Sequence, residues 1–95
     1  MKRYSIVQDD LSKCLICDTT QNIHIHHVFG GTANRSRSEE YHCIVALCHF
    51  HHTGRDGIHF NKEMDEKLKK FAQEKFEEVH GDRESFMKIF GRNYL

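Results

Sequence analysis

At 95 residues the chain has room for one domain, residues 1–95, and no more. Apolar residues make up 38% of it and charged residues 29%, which permits a folded globule but leaves its core thin, since small domains bury a smaller share of their surface. Fourteen basic and fourteen acidic residues cancel to zero formal charge, which argues against a strongly cationic nucleic-acid binder. It does not argue against one whose positive charge is carried by a bound ion.

The start Met1-Lys2-Arg3 is basic, but no apolar run long enough for a leader or a membrane span follows it. A reducing cytoplasm is the compartment expected, with no membrane partner, and there paired cysteines hold metal more often than they form disulfides. The chain carries four cysteines and nine histidines. All the cysteines and eight of the histidines fall between Cys14 and His59, and a charged, amphipathic segment follows from Asn61. A small domain with a thin core needs a staple, and this distribution points to a metal.

Taken in chain order, Ile23 to Phe29 is β-prone and stops at Gly30-Gly31, a turn signal. Gly30 to Glu40 is polar and reads as a loop. Tyr41 to Leu47, with Cys43, Ile44, Val45 and Leu47, reads as the returning strand of a hairpin-like pair. A short helix is expected near Cys48 to His52, limited by Gly54 and Gly57. Beyond it, Met64, Leu68, Phe71, Ala72, Phe76 and Val79 recur at helical spacing among Lys and Glu. Asn61 is the N-cap expected there and Gly81 the stop. Asp82 is the N-cap expected for a second short helix through Phe86, Ile89 and Phe90, closed by Gly91. Both helices read as packing elements over the cysteine- and histidine-rich part, spanning residues 61–95. The fold class expected is α+β.

Two pairs have metal-knuckle spacing: Cys14-x-x-Cys17 and Cys48-x-x-His51. A two-residue gap makes a tight turn that lets both side chains reach one ion. A closed set of three thiolates and one imidazole suits structural zinc. A redox role for Cys14-x-x-Cys17 would want a βαβ setting, which is absent, and a disulfide framework would want secretion. Cys43 is left over and reads as buried packing.

Adjacent His26 and His27 at the end of a strand, with His52 just past the second knuckle, fit a second metal position with an open coordination site. The order Cys14-x-x-Cys17, then His26-His27-Val28, then Leu47-Cys48-x-x-His51-His52 resembles the HNH (ββα-metal) endonuclease family. The run His51-His52-Thr53-Gly54-Arg55-Asp56-Gly57-Ile58-His59 is similar to one in phage recombination-enhancement nucleases. The ending Phe90 to Leu95 resembles that of small phage and prophage proteins of this class. The resemblance is close from Cys14 to His59 and slight beyond.

That resemblance implies a zinc-stapled ββα-metal core over residues 14–59 with a helical extension. It also implies hydrolysis of DNA phosphodiester bonds in a bacterial host or phage-infected cell, in the setting of recombination. His27 takes the place of the general base, and His26, His52 and His59 those of the ligands to a second divalent ion, Mg2+, Mn2+ or Zn2+. Imidazole suits a base because its ordinary pKa, about 6.5, lies near neutrality. DNA is the partner implied, a recombination protein a second one, and homodimerisation is left open.

The chain departs from the family pattern in three ways. The middle residue, usually Asn or His, falls near Cys43 with His42 beside it. His59 lies seven residues after His52, whereas many members place the ligand four residues on, where Asp56 stands. Strand alternation sends His26 and His27 to opposite faces unless the strand ends there. His24, His49 and His80 read as ordinary surface or packing residues. In the polar loop, Asn34, Arg35 and Arg37, joined by Arg55, are the expected backbone contacts to nucleic acid. The competing reading is a non-catalytic zinc module that binds nucleic acid or a recombination protein.

Overall fold

Two β-prone runs pair as the sheet of this chain, seen in a computed structural model that describes residues 4–55 and 57–95. Strand β1 is Ile23–His27 and strand β2 is Ile44–Cys48, antiparallel, with Ile23 opposite Cys48 and His27 opposite Ile44. All five residues of β2 are buried. Its free edge is covered by the segment before the first knuckle: the Ser5 hydroxyl donates to the Ile44 carbonyl, and the Gln8 side-chain Oε1 accepts from Ala46 N at 2.8 Å. Leu15 N also donates to the Ala46 carbonyl at 2.8 Å. A buried strand must satisfy its backbone polar groups, and these bonds do so while carrying Cys14 to the end of β2.

The connection between the strands is a helix and not the expected loop. Helix α1 spans Thr32–Glu40. It has no apolar stripe, so periodicity could not reveal it, and it docks through polar bonds instead. The buried Ser38 hydroxyl accepts from Phe29 N at 3.1 Å and donates to the Phe29 carbonyl at 3.0 Å. The Asn34 amide donates to the Phe90 carbonyl at 3.1 Å. Gly31, at φ 96°, turns the chain into the helix through a region open chiefly to glycine.

Both strands are shorter than the apolar runs suggest. Phe29 leaves the ladder because its backbone is bound by Ser38, so β1 ends at His27. Tyr41 caps α1, and His42 takes a left-handed φ of 63°, so β2 begins only at Ile44.

A four-residue helix α2, His49–His52, follows β2 directly, and a 3-10 turn at Ile58–Phe60 follows that. Helix α3, Lys62–Val79, starts where Asn61 caps it by accepting from Met64 N at 3.0 Å. Helix α4, Arg83–Phe90, is capped by Asp82 through Ser85 N at 2.9 Å and ends at left-handed Gly91. Leu68, Ala72 and Phe76 are buried as the spacing predicts, but Phe71 and Val79 are 43% and 58% exposed. The buried face of α3 takes in Gln73 instead, whose side chain holds the C-terminal strand of backbone by accepting from Tyr94 N at 2.7 Å. Phe29, Phe76, Phe86 and Phe90 form the aromatic centre of the core, joining α1's neighbourhood to both long helices. The architecture is a small mixed α+β fold.

Candidate metal centres

The two knuckles converge. Cys14 Sγ and Cys48 Sγ lie 3.7 Å and 3.3 Å from His51 Nδ1, and Cys17 Sγ lies 3.7 Å from Cys48 Sγ. All four donor atoms fall within 4.8 Å of one another. Tetrahedral bonds of about 2.3 Å to sulfur and about 2.05 Å to nitrogen put sulfurs about 3.8 Å apart and sulfur and nitrogen about 3.5 Å apart. The observed spacings lie close to those edges, so Cys14, Cys17, Cys48 and His51 fit a metal such as zinc. They do not fit a disulfide, whose sulfurs would be about 2.05 Å apart.

Local backbone makes the first knuckle. Cys14 N donates to the Thr19 carbonyl at 2.8 Å and Asp18 N to the Cys14 carbonyl at 3.0 Å, with Asp18 left-handed at φ 62°. Burial pushes the Cys14 thiol up, but the N–H groups of Cys17, Cys48 and Ile16 outweigh it and bring it down to about 6. At Cys17 the Thr19 N–H favours thiolate, yet burial and the neighbouring Cys14 and Cys48 sulfurs win and push the thiol up. One thiolate thus suppresses the next. A cation among them removes that conflict, since clustered anions need a central positive charge.

Three imidazoles gather where β1, α2 and the 3-10 turn meet. His52 Nε2 and His59 Nε2 are 3.0 Å apart, and the His26 ring centre lies 5.2 Å and 5.1 Å from those of His52 and His59. The donor atoms of these three also lie within 4.8 Å of one another. His26 Nε2 is buried and has no hydrogen-bond partner. Burial, reinforced by His52 and His59, holds the His26 imidazole down at about 3. Burial, with His59, His24 and His49 adding to it, depresses His52 as well. Clustered imidazole nitrogens, one of them buried and otherwise unsatisfied, are the donor chemistry a divalent ion takes.

Two glycines make this cluster feasible despite the seven-residue interval. A Cβ at Gly54 would collide with the Phe50 backbone, and one at Gly57 would sit 2.8 Å from the His52 carbonyl. Only glycine lets the chain fold back tightly enough for the 3-10 turn to return His59 to His52. Asp56, the residue at the more usual interval, lies outside the described residues.

The histidines open on a cleft of about 710 Å3 whose walls include His26, His27, His52, His59 and Arg35. His26 and His27 do face different partners, as alternation requires, but both reach the cleft because β1 ends at His27. His27 Nε2 donates to the Glu39 carboxylate at 2.7 Å. His24 Nδ1 lies 3.0 Å from His52 Nδ1, on the opposite edge of that ring from His59.

Glu39 and His24 carry no weight in the sequence reading, and both touch the site. His24 had a signal: it stands two residues from His26, so an alternating strand puts both on one face. Glu39 had none while its segment read as a loop. Arg35 lines the cleft, whereas Asn34 is tied to Phe90 and Arg37 to Asn34, and exposed Arg55 lies outside the cleft wall. The His42 ring stacks on Tyr4 at 3.7 Å, and His80 bonds the Tyr41 carbonyl at 2.9 Å. Cys43 is fully buried, its thiol pushed up to about 12 by desolvation, and it serves as packing.

Comparison with protein-family models, with curated proteins and with solved structures finds no match for this chain. Among the described residues, no helix is long and apolar enough to cross a membrane.

Proposed function

We propose that this chain is a metal-dependent endonuclease of the ββα-metal type that hydrolyses DNA phosphodiester bonds. The observation that carries the proposal is the orphaned, buried Nε2 of His26 facing His52 and His59 at a cleft that also contains His27. The strand pair β1 and β2 followed by α2 corresponds to the ββα core in this reading, with Cys14, Cys17, Cys48 and His51 as its structural zinc ligands.

His26, His52 and His59 hold the second ion, which when bound supplies Lewis-acid stabilisation of the charge developing on the phosphate. His27 is the base. A carboxylate only accepts hydrogen bonds, so the proton shared with Glu39 sits on His27 Nε2 and leaves Nδ1 with the lone pair. Nδ1 is therefore the atom that takes a proton from the attacking water. Glu39 thereby supplies the orienting contact that buried Cys43 does not. Arg35 and Lys62 line the cleft with Phe60, which is 70% exposed, and cations beside an open aromatic face suit a nucleic-acid strand.

The test is plasmid nicking in Mg2+ or Mn2+ by the full chain. Wild type is expected to nick, and His27→Ala to lose activity by about 100-fold or more, the scale of a lost general base, with zinc content and circular dichroism unchanged. Equal nicking by both proteins would assign the activity to a contaminant.

Zero net charge favours a second reading, a zinc module without catalysis that binds nucleic acid or a recombination protein. Metal counting separates the two. One tightly held zinc and no ion at the histidines supports the module.

A further inference from the structure

The hydrogen bond between His52 and His24 carries more than packing. We infer that His24 is a positioning residue for the second metal site: its Nδ1 accepts a hydrogen bond from His52 Nδ1–H and so turns the His52 Nε2 lone pair toward His26 and His59. The inference rests on the metal site proposed above.

The argument is one of tautomers. A neutral imidazole carries one proton and one lone pair, on different nitrogens. His52 Nε2 faces His59 Nε2 at 3.0 Å and belongs to the three-histidine cluster. If that nitrogen is to donate its lone pair to an ion, the His52 proton must sit on Nδ1. His52 Nδ1 lies 3.0 Å from His24 Nδ1, so His24 must present a lone pair there and carry its own proton on Nε2. A proton on both Nδ1 atoms would set two protons against each other across 3.0 Å. The reverse direction, with His24 donating, would put the His52 proton on Nε2, where it would block the ion. The His24 ring is also braced, standing edge-on to His49 with centres 5.7 Å apart, while His49 Nδ1 lies 3.2 Å from the Thr53 hydroxyl. Partners that fix a ligand's tautomer typically change metal affinity by about 10–100-fold when removed.

The experiment uses full-length protein with its cysteine site filled by zinc, titrated with Co2+ and followed by visible absorption and calorimetry. Wild type is expected to take up one Co2+ with an all-nitrogen and oxygen spectrum. His24→Ala should weaken that uptake by about 10–100-fold. His24→Asn should recover most of it, because its side-chain oxygen stands close to the place of Nδ1 and accepts the same bond. Affinity unchanged in His24→Ala, or equal losses in both variants, would overturn the role of His24 while leaving the metal site standing. No Co2+ uptake by wild type would instead remove the site, and this inference with it. Should His24→Ala fail to fold, 15N spectra of metal-loaded wild type decide. A proton on His52 Nδ1 and on His24 Nε2 supports the inference, and a proton on His24 Nδ1 sinks it.

Discussion

A histidine buried without a partner is expensive unless something completes it. His26 is 7% exposed and its Nε2 is unsatisfied, so protonating it in place would add an unpaired charge to a polar group already stripped of water. This sets the sign of a pH effect. The folded-state value is about 3, below the ordinary 6.5, with burial the first cause. Above pH 6.5 the ring is neutral folded or unfolded and contributes no pH dependence. As pH falls from 6.5 toward 3 the unfolded chain takes up a proton that the folded chain refuses, and stability drops. With one equivalent of zinc and no further divalent ion, urea unfolding of wild type should steepen against His26→Gln by up to about 1.4 kcal/mol per pH unit below 6.5. Parallel pH profiles for the two proteins would mean that His26 can shed its isolation by local opening, and the cluster would then be no prepared site.

At the scale of elements, the parts legible in the sequence were those with a repeat or a cap. Asn61, Asp82 and Gly91 announce helix ends whose geometry is local, and each stands where expected. The knuckle pairs were legible because two-residue spacing is a local constraint too, and their meeting followed from the chemistry of zinc. Helix α1 was not legible. Its residues show no apolar stripe, and its docking depends on Ser38 meeting Phe29 and Asn34 meeting Phe90, the latter pair 56 residues apart. With α1 hidden, the Glu39 contact to His27 was hidden as well, whereas His24 stands two residues from His26, where alternation puts both on one face of β1. Ser38 accordingly offers a test of the element. Replacing it with Ala leaves two backbone groups of Phe29 unpaired in a fully buried place, which should cost about 1–3 kcal/mol in chemical denaturation. A loss under about 0.5 kcal/mol, the scatter of ordinary surface changes, would show that α1 is held elsewhere.

At the scale of the whole molecule, the cluster of Cys14, Cys17, Cys48 and His51 sits against the core and shares Cys14 and Cys48 with it. Cys14, Cys43 and Cys48 are themselves among the buried apolar residues, and the segment leading into the first knuckle is joined to β2 by bonds from Ser5, Gln8 and Leu15. Cys14 and Cys17 meet Cys48 and His51 at the end of β2, so an ion there would tie the amino-terminal segment to β2 and to α2. Zinc contributes about 10–16 kcal/mol in isolated small sites at neutral pH. That equals or exceeds the whole stability of most domains, about 5–15 kcal/mol. Stripping the ion would also leave sulfur groups crowded at 3.7 Å with no cation to settle their charge. A strong chelator should therefore abolish the cooperative melting transition and most far-ultraviolet helical signal, although α3 and α4 contain no ligand. Returning zinc under reducing conditions should restore both, and Cys17→Ser should behave as the chelated protein does. If chelated wild type melts cooperatively at an unchanged temperature, the phenylalanine core under α3 and α4 holds the fold by itself, and the cysteine site stabilises only its own knuckles.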